Sequence, residues 1–340
     1  VIVKTLAAPP RTGPARAALV LGAAGTVLFA AVLLSLVAGS KPTSPVEVWQ
    51  VFLGEADPHT TAVVESRYPR TLLGIVAGAA LALSGTLMQG VTRNPLADPG
   101  LLGVNAGAAA AVVTATALLG PASTTATVWW ALPGALLAGL AAHTVGTRGG
   151  DGGMVRLVLA GAVVSAVLMA YVQAVSLSMP DVFDSYRYWV VGSLAGRGYD
   201  VVLAVLPVIG AGALLALLVM GSLNALALGE EAAVATGANV FLARSGGLLA
   251  GTVLAAGATA AAGPIAFVGL AVPHVVRGLV GVDFRLQVPF ALLVGPSLLL
   301  VADVVGRVLV RPMELMVGVV TAFVGAPVLL YVVRKSRSAT

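Results

Sequence analysis

The residues able to do chemistry are few, and their spacing suits structure or transport better than catalysis. Asp303 and Arg307 stand four apart in LLLVADVVGRVLVRPMELMVG (298–318), so on a helix they share a face and can pair. An ionisable group inside an apolar run is a candidate proton carrier. With Arg307 one turn away, Asp303 reads instead as a structural partner. His274 follows Pro273 in an apolar setting that could suit a haem ligand, but His59 and His143 lie far off in sequence, and a lone histidine is usually a packing residue. The chain has no cysteine, which removes thiol nucleophiles and thiolate metal sites. No HExxH, no GxSxG and no paired intramembrane carboxylates mark an intramembrane enzyme.

Two stretches carry further candidates. RYPRTLLGIVAGAALALSGTLMQGVTRNPLADPGLLGVNAGAAAA (67–111) opens on Arg67 and Arg70 at the start of an apolar helix. A positive charge there opposes the helix dipole, so another interaction must explain the pair. The same stretch holds Asn94-Pro95-Leu96-Ala97-Asp98-Pro99-Gly100, where two prolines forbid a continuous helix and stiffen the loop. LNALALGEEAAVATGAN (223–239) is too polar and too short to cross lipid. Glu230 and Glu231 complement a helix N-terminus and Gly237 supplies a stop, which predicts a two-turn helix between two spans. Held at both ends by membrane helices, it would make a lever for a cytoplasmic partner.

The elements that position these groups follow from composition. Of 340 residues, 59% are apolar and 10% charged, against roughly 25% charged in a soluble domain. Runs of about 20 apolar residues mark ten spans: 17–39, 71–91, 101–119, 126–146, 155–179, 201–222, 246–262, 264–280, 288–305 and 313–333. The first is too long for a signal peptide's apolar core of about 7 to 15 residues and reads as a retained helix. The glycine pairs Gly74/Gly78, Gly103/Gly107 and Gly247/Gly251 have the spacing that lets helices approach closely in lipid. The basic residues sit singly between apolar runs, as expected beside lipid headgroups and not on a nucleic-acid-binding face. With the N-terminus cytoplasmic, the inner segments hold 12 of the 19 basic residues and the outer segments nine of the 14 acids. The positive-inside rule therefore predicts a multi-pass protein of the cell membrane with both termini in the cytoplasm. The expected division is a tail at 1–16, one transmembrane domain at 17–333 and a tail at 334–340.

Taken in order, RYPR, SGTLMQ, RNPLADPGLLG, LNALALGEEAAVATGAN, GPIAFVGLAVPH, ADVVGR and PMELMVGVVTAFVGAPVLLY resemble the FecCD-like permease family. That family carries ferric siderophores, haem and cobalamin in type II ATP-binding-cassette importers. The resemblance implies an all-α, ten-helix, cobalamin-permease-like subunit built as an inverted five-helix repeat. It implies a dimer with a second copy or a paralogue, two ATPase subunits on the cytoplasmic side and an extracytoplasmic substrate-binding protein. This chain has no GxxxxGK[ST] phosphate loop, so no cofactor is expected in it, and ATP and Mg would be held by the partner ATPases. By the same resemblance, 228–239, with Gly229, Glu230, Glu231, Ala232, Ala233 and Gly237, is the coupling helix. Asn94, Leu96, Met154 and Val155 stand at cytoplasmic gate positions, although relatives often have small polar residues where Met154 and Val155 are. Arg67, Arg70 and Arg307 stand where the family meets acids of the binding protein. A ferric siderophore is the expected cargo, with haem or cobalamin as alternatives; a proton-coupled secondary transporter is the rival from another class.

Overall fold

The computed structural model describes residues 13–39, 41–147 and 153–337, and side chains as far as residue 327. All regular structure among them is helical. Helix α1 (Pro14–Val37) is followed by two short helices, α2 (Pro45–Leu53) and α3 (Pro58–Glu65), and then by α4 (Arg67–Thr92). A 3-10 turn at Pro99–Leu102 leads into α5 (Val104–Leu119), α6 (Thr124–Thr147) and α7 (Gly153–Ser178). The chain continues through the short α8 (Pro180–Trp189), the long α9 (Tyr199–Ala227), the six-residue α10 (Glu230–Ala235) and α11 (Val240–Ala262). It closes with α12 (Val268–Val280), α13 (Phe284–Leu309) and α14 (Val317–Arg337). The ten expected spans correspond to α1, α4, α5, α6, α7, α9 and α11 to α14. Among the described residues, seven helical stretches are long and apolar enough to cross a bilayer, and α5, α12 and the described part of α14 are shorter apolar helices.

The bundle is built around α4, α11 and α13. The most apolar stretch of α4 is 78% buried, against 11% for α1, which presents Phe29, Leu33 and Leu34 outward. Small residues let the central helices touch backbone to backbone. A Cβ at Gly78 would lie 2.7 Å from the Cα of Pro296, and one at Gly107 would lie 2.3 Å from the carbonyl oxygen of Gly134. Lipid tails are as apolar as the side chains, so helix association rests on such close van der Waals contact.

The span expected at 264–280 is not one helix. From Gly263, beside Trp189 and Gly192, residues 263–267 run without helical structure, and α12 starts only at Val268, after Phe267 in the left-handed region (φ 70°). Gly269 then packs on Gly85, 18 residues or roughly 27 Å into α4, so α12 starts at depth and not at the surface. The Pro95–Leu102 stretch after α4 is its counterpart: Asp98 and Pro99 come up against Gly269. In each half of the chain a long helix is thus followed by a break in the α-helix, and the break after α4 meets the first turn of α12.

Helices α2, α3 and α8 occupy loops that the span pattern treats as connectors. Their starts follow local rules. Ser44 and Glu47 form a reciprocal capping box around Pro45, and Asp57 accepts from the N–H groups of His59 and Thr60 ahead of α3. Hydrogen bonds from Ser44 hold the Glu47 carboxylate below its ordinary range.

Candidate functional site

Three groups of residues were expected to act, and each is positioned by helix ends. The first is the segment between α9 and α11. Its helix is shorter than the two turns expected, running only from Glu230 to Ala235. The turns on either side are made by glycines at positive φ, Gly229 (124°) and Gly237 (80°). Gly237 N–H donates to Val234 O and Ala238 N–H to Ala233 O, satisfying carbonyls that the helix end leaves free. Ala233 faces the protein while Glu231, Val234 and Ala235 are exposed, and Ala232 is half-buried. Glu230 pairs with Arg244 of α11 at 2.9 Å.

Neighbouring side chains tie this segment to the rest of the bundle, and sequence patterns alone had not singled them out. Arg93, in the left-handed region after α4, donates to Leu226 O at the end of α9. Asn224 donates to Asp283 (2.8 Å) and accepts the Phe284 N–H (2.8 Å), fastening α9 to the first turn of α13. The end of α9 that leads into α10 is thus bonded to the residue after α4 and to the start of α13.

The second group is the loop after α4 and the start of α7. Asn94 and Leu96 are exposed, and the Asn94 side chain accepts from Leu96 N–H at 2.9 Å, a turn that fixes the loop between its prolines. Val155, in the first turn of α7, is 80% exposed. Met154 stands beside it, and its side chain lies outside the described residues.

The third group requires a correction. Arg67 and Arg307 do not present their charges outward: they are 6% and 1% exposed. Arg67 donates to the carbonyls of Leu36, Val37 and Lys41 and to the Thr43 hydroxyl. Arg307 donates to the carbonyls of Ser35 and Ala38 and to the Ser35 hydroxyl. Both guanidinium groups thus cap the C-terminus of α1, where unpaired carbonyls and the negative end of the dipole favour cations. Gly39 makes room for this arrangement, since a Cβ there would come within 2.6 Å of an Arg67 Nη. Asp303, 1% exposed, pairs with Arg307 one turn on and also with Arg70 (2.8 Å), whose other side reaches Glu314 (2.8 Å). Of the three arginines, only Arg70 keeps a partly exposed side chain. The cluster borders a cavity of about 470 Å³ lined by Lys41, Arg67, Arg70, Arg197, Arg307 and Glu314, at the end of α4 opposite α10.

The histidines do not converge: His59 lies in α3 and His143 in α6, while His274 in α12 has its Nδ1 2.8 Å from Leu270 O.

A buried cation–carboxylate cluster lies at one end of α4 and a glycine-framed helix at the other, in a chain with several long apolar helices. Sequence comparison decides among such proteins, because the profile of the FecCD transport family matches residues 27–335. The chain belongs to the FecCD transport family. It is 48% identical over 312 residues to the ferric enterobactin transport system permease protein FepD of Escherichia coli, covering 91% of this chain and 93% of that one. It is 38% identical to the hemin transport system permease protein HmuU of Yersinia pestis, with coverage of 80% and 82%. A solved structure of an inward-facing metal-chelate type ABC transporter superposes with a TM-score of 0.75 at 26% identity, covering 94% of this chain and 99% of the other. This FecCD chain is therefore a multi-pass membrane permease subunit. The ion pairs from Asp303 to both Arg307 and Arg70 belong to the framework of the fold.

Proposed function

We propose that this chain is the membrane-spanning subunit of an ATP-binding-cassette importer that moves a ferric siderophore across the cell membrane, with both termini in the cytoplasm. The observation that carries the cargo is the 48% identity to the ferric enterobactin permease over nearly the whole chain. In this reading two partner ATPases bind ATP and Mg and press on α10, and no covalent chemistry occurs in the chain itself. A second copy or a paralogue completes the path, and a binding protein delivers cargo to the end bearing α2 and α3. Of Arg67, Arg70 and Arg307, Arg70, tied to Glu314 at the rim of the cavity, is the one that an incoming acid can reach.

The test is uptake of iron-55-labelled ferric enterobactin into sealed vesicles supplied with binding protein and ATP while the proton gradient is collapsed. Uptake should persist without the gradient and stop without ATP. Dependence on the gradient instead would make the chain a secondary transporter. Competition by unlabelled haem or cobalamin that exceeds competition by the siderophore would move the cargo to those classes.

Coupling through α10 gives a sharper expectation. Gly237→Val places a β-branched residue at φ 80°, where open space surrounds the new Cβ but the backbone conformation costs about 1 to 3 kcal/mol. The variant should insert and purify normally, yet lose most substrate-stimulated ATP hydrolysis. Wild-type stimulation would remove α10 from the coupling path. The loop after α4 offers a second check. Cysteines replacing Asn94 and Leu96, in a chain that has none of its own, should cross-link between subunits in one nucleotide state more than in another. Equal yields in every state would make the loop a passive connector.

A further inference from the structure

The cavity beside the α1 C-terminus holds more positive charge than its carboxylates balance. Lys41, Arg67, Arg70, Arg197 and Arg307 line it, against Glu314, with Asp303 bonded to two of the arginines. Both carboxylates are engaged by Arg70 and Arg307. Arg67 donates to neutral oxygens only. Arg197 stands in the loop between α8 and α9, and its Nε–H is buried without a hydrogen-bond partner. Burial pushes this guanidinium below its ordinary value, and no carboxylate offsets the effect. Arg197 as a whole is half-exposed, but an N–H buried without an acceptor is unfavourable. The planar fork of donors on arginine matches the oxygens of a phosphate or carboxylate. The space, about 470 Å³, takes such a group together with several waters at roughly 30 Å³ each.

We propose that this cavity is a binding site for a small oxyanion of the phosphate class, with Arg197 as its principal ligand and Arg67 and Lys41 as flanking cations. Two sources share that chemistry: dissolved phosphate, and the phosphate of an anionic lipid. The second has a route. The neighbouring α2 presents Val46, Trp49 and Phe52 outward, the apolar and aromatic surface that settles at headgroup level. The proposal does not rest on the transport reading.

The experiment uses the full chain purified with its ATPase partners, titrated with inorganic phosphate against sodium chloride of equal ionic strength, and followed by calorimetry and by thermal unfolding. Phosphate should bind saturably and raise the unfolding temperature more than chloride does. Arg197→Gln should weaken that binding about tenfold or more, the loss expected for a charge-assisted contact, and Arg197→Lys should restore part of it. The titration is repeated in nanodiscs of phosphatidylcholine alone and with phosphatidylglycerol. If the lipid phosphate is the occupant, phosphatidylglycerol abolishes the response to added phosphate in the parent protein, and its own stabilising effect is lost in Arg197→Gln. Equal effects of phosphate and chloride with no effect of phosphatidylglycerol, or the same responses in Arg197→Gln as in the parent, would overturn the proposal. So would a variant that binds phosphate and lipid normally but has lost affinity for the binding protein alone, which would make the cavity a protein contact.

Discussion

Replacing Asp303 with alanine should unfold the end of the bundle where α4 begins. Asp303 is the carboxylate shared by Arg70 and Arg307, and Asp303 and Arg307 are each 1% exposed. Without it, Arg307 is left at 1% exposure with no carboxylate partner, while Arg70 keeps Glu314. Breaking a buried ion pair by removing one partner costs about 3 to 5 kcal/mol, because the remaining charge stays desolvated. Arg307 cannot swing out to water, since it also holds the carbonyls of Ser35 and Ala38 at the end of α1. Asp303→Asn should lose less, because its amide oxygen still accepts from one arginine. Thermal unfolding of the purified complex, read by size-exclusion with fluorescence detection, checks the order parent, Asp303→Asn, Asp303→Ala. If Asp303→Ala unfolds within about 1 kcal/mol of the parent, the cluster is solvated and its role is not structural.

Adding one methyl group at Gly85 should have a comparable effect for a different reason. The Cβ of an alanine there would sit 1.9 Å from the carbonyl oxygen of Gly269 and 2.5 Å from its Cα, so backbone opposes it and no side chain can rotate away. Either α4 or the start of α12 must move. Overpacking of this kind costs about 1 to 3 kcal/mol, with more when both sides are main chain. Gly210 is the control: a Cβ there meets nothing within 4 Å, so alanine should be neutral or stabilise α9 by roughly 0.5 to 1 kcal/mol. The quantity to measure is the difference between the two variants in folded yield and unfolding temperature. Similar behaviour would mean that the α4–α12 contact is loose enough to absorb a side chain.

The helices that match the ten expected spans were legible as long apolar runs, seven of them long enough to cross a bilayer among the described residues. The turn around Gly237 was legible too, since acids at a helix start and glycine at its end act locally. Local signals for α2 and α3 were equally present in Ser44-Pro45-Val46-Glu47 and Asp57-Pro58, but counting apolar runs passes over helices of nine and eight residues. The arginines failed for a deeper reason. Arg67 was correctly marked as unrewarded by its own helix, but what rewards it is the end of α1, about 30 residues earlier, and for Arg307 the same partner lies about 270 residues away. Charge and position along the chain say nothing about which helix end a side chain will meet. The break at 263–267 was half visible: Gly263-Pro264 marks a boundary, but the apolar run beyond it hides three further residues without helix.

That break bears on how the chain enters the bilayer. Helix α12 has 13 residues and is roughly 20 Å long, short of a hydrocarbon layer of about 30 Å, so it cannot be recognised and released into lipid as a span of its own. Its first carbonyls, those of Gly269 and Leu270, lie within reach of the side-chain amide of Gln89, which is buried in α4 and made some 180 residues earlier. Until α12 arrives, that amide sits in an apolar surrounding without these acceptors, and until α4 is in place α12 has no wall to settle against. Biogenesis must therefore hold an early helix in waiting while most of the protein is still being synthesised, and the closing of the bundle is a late, post-insertion event.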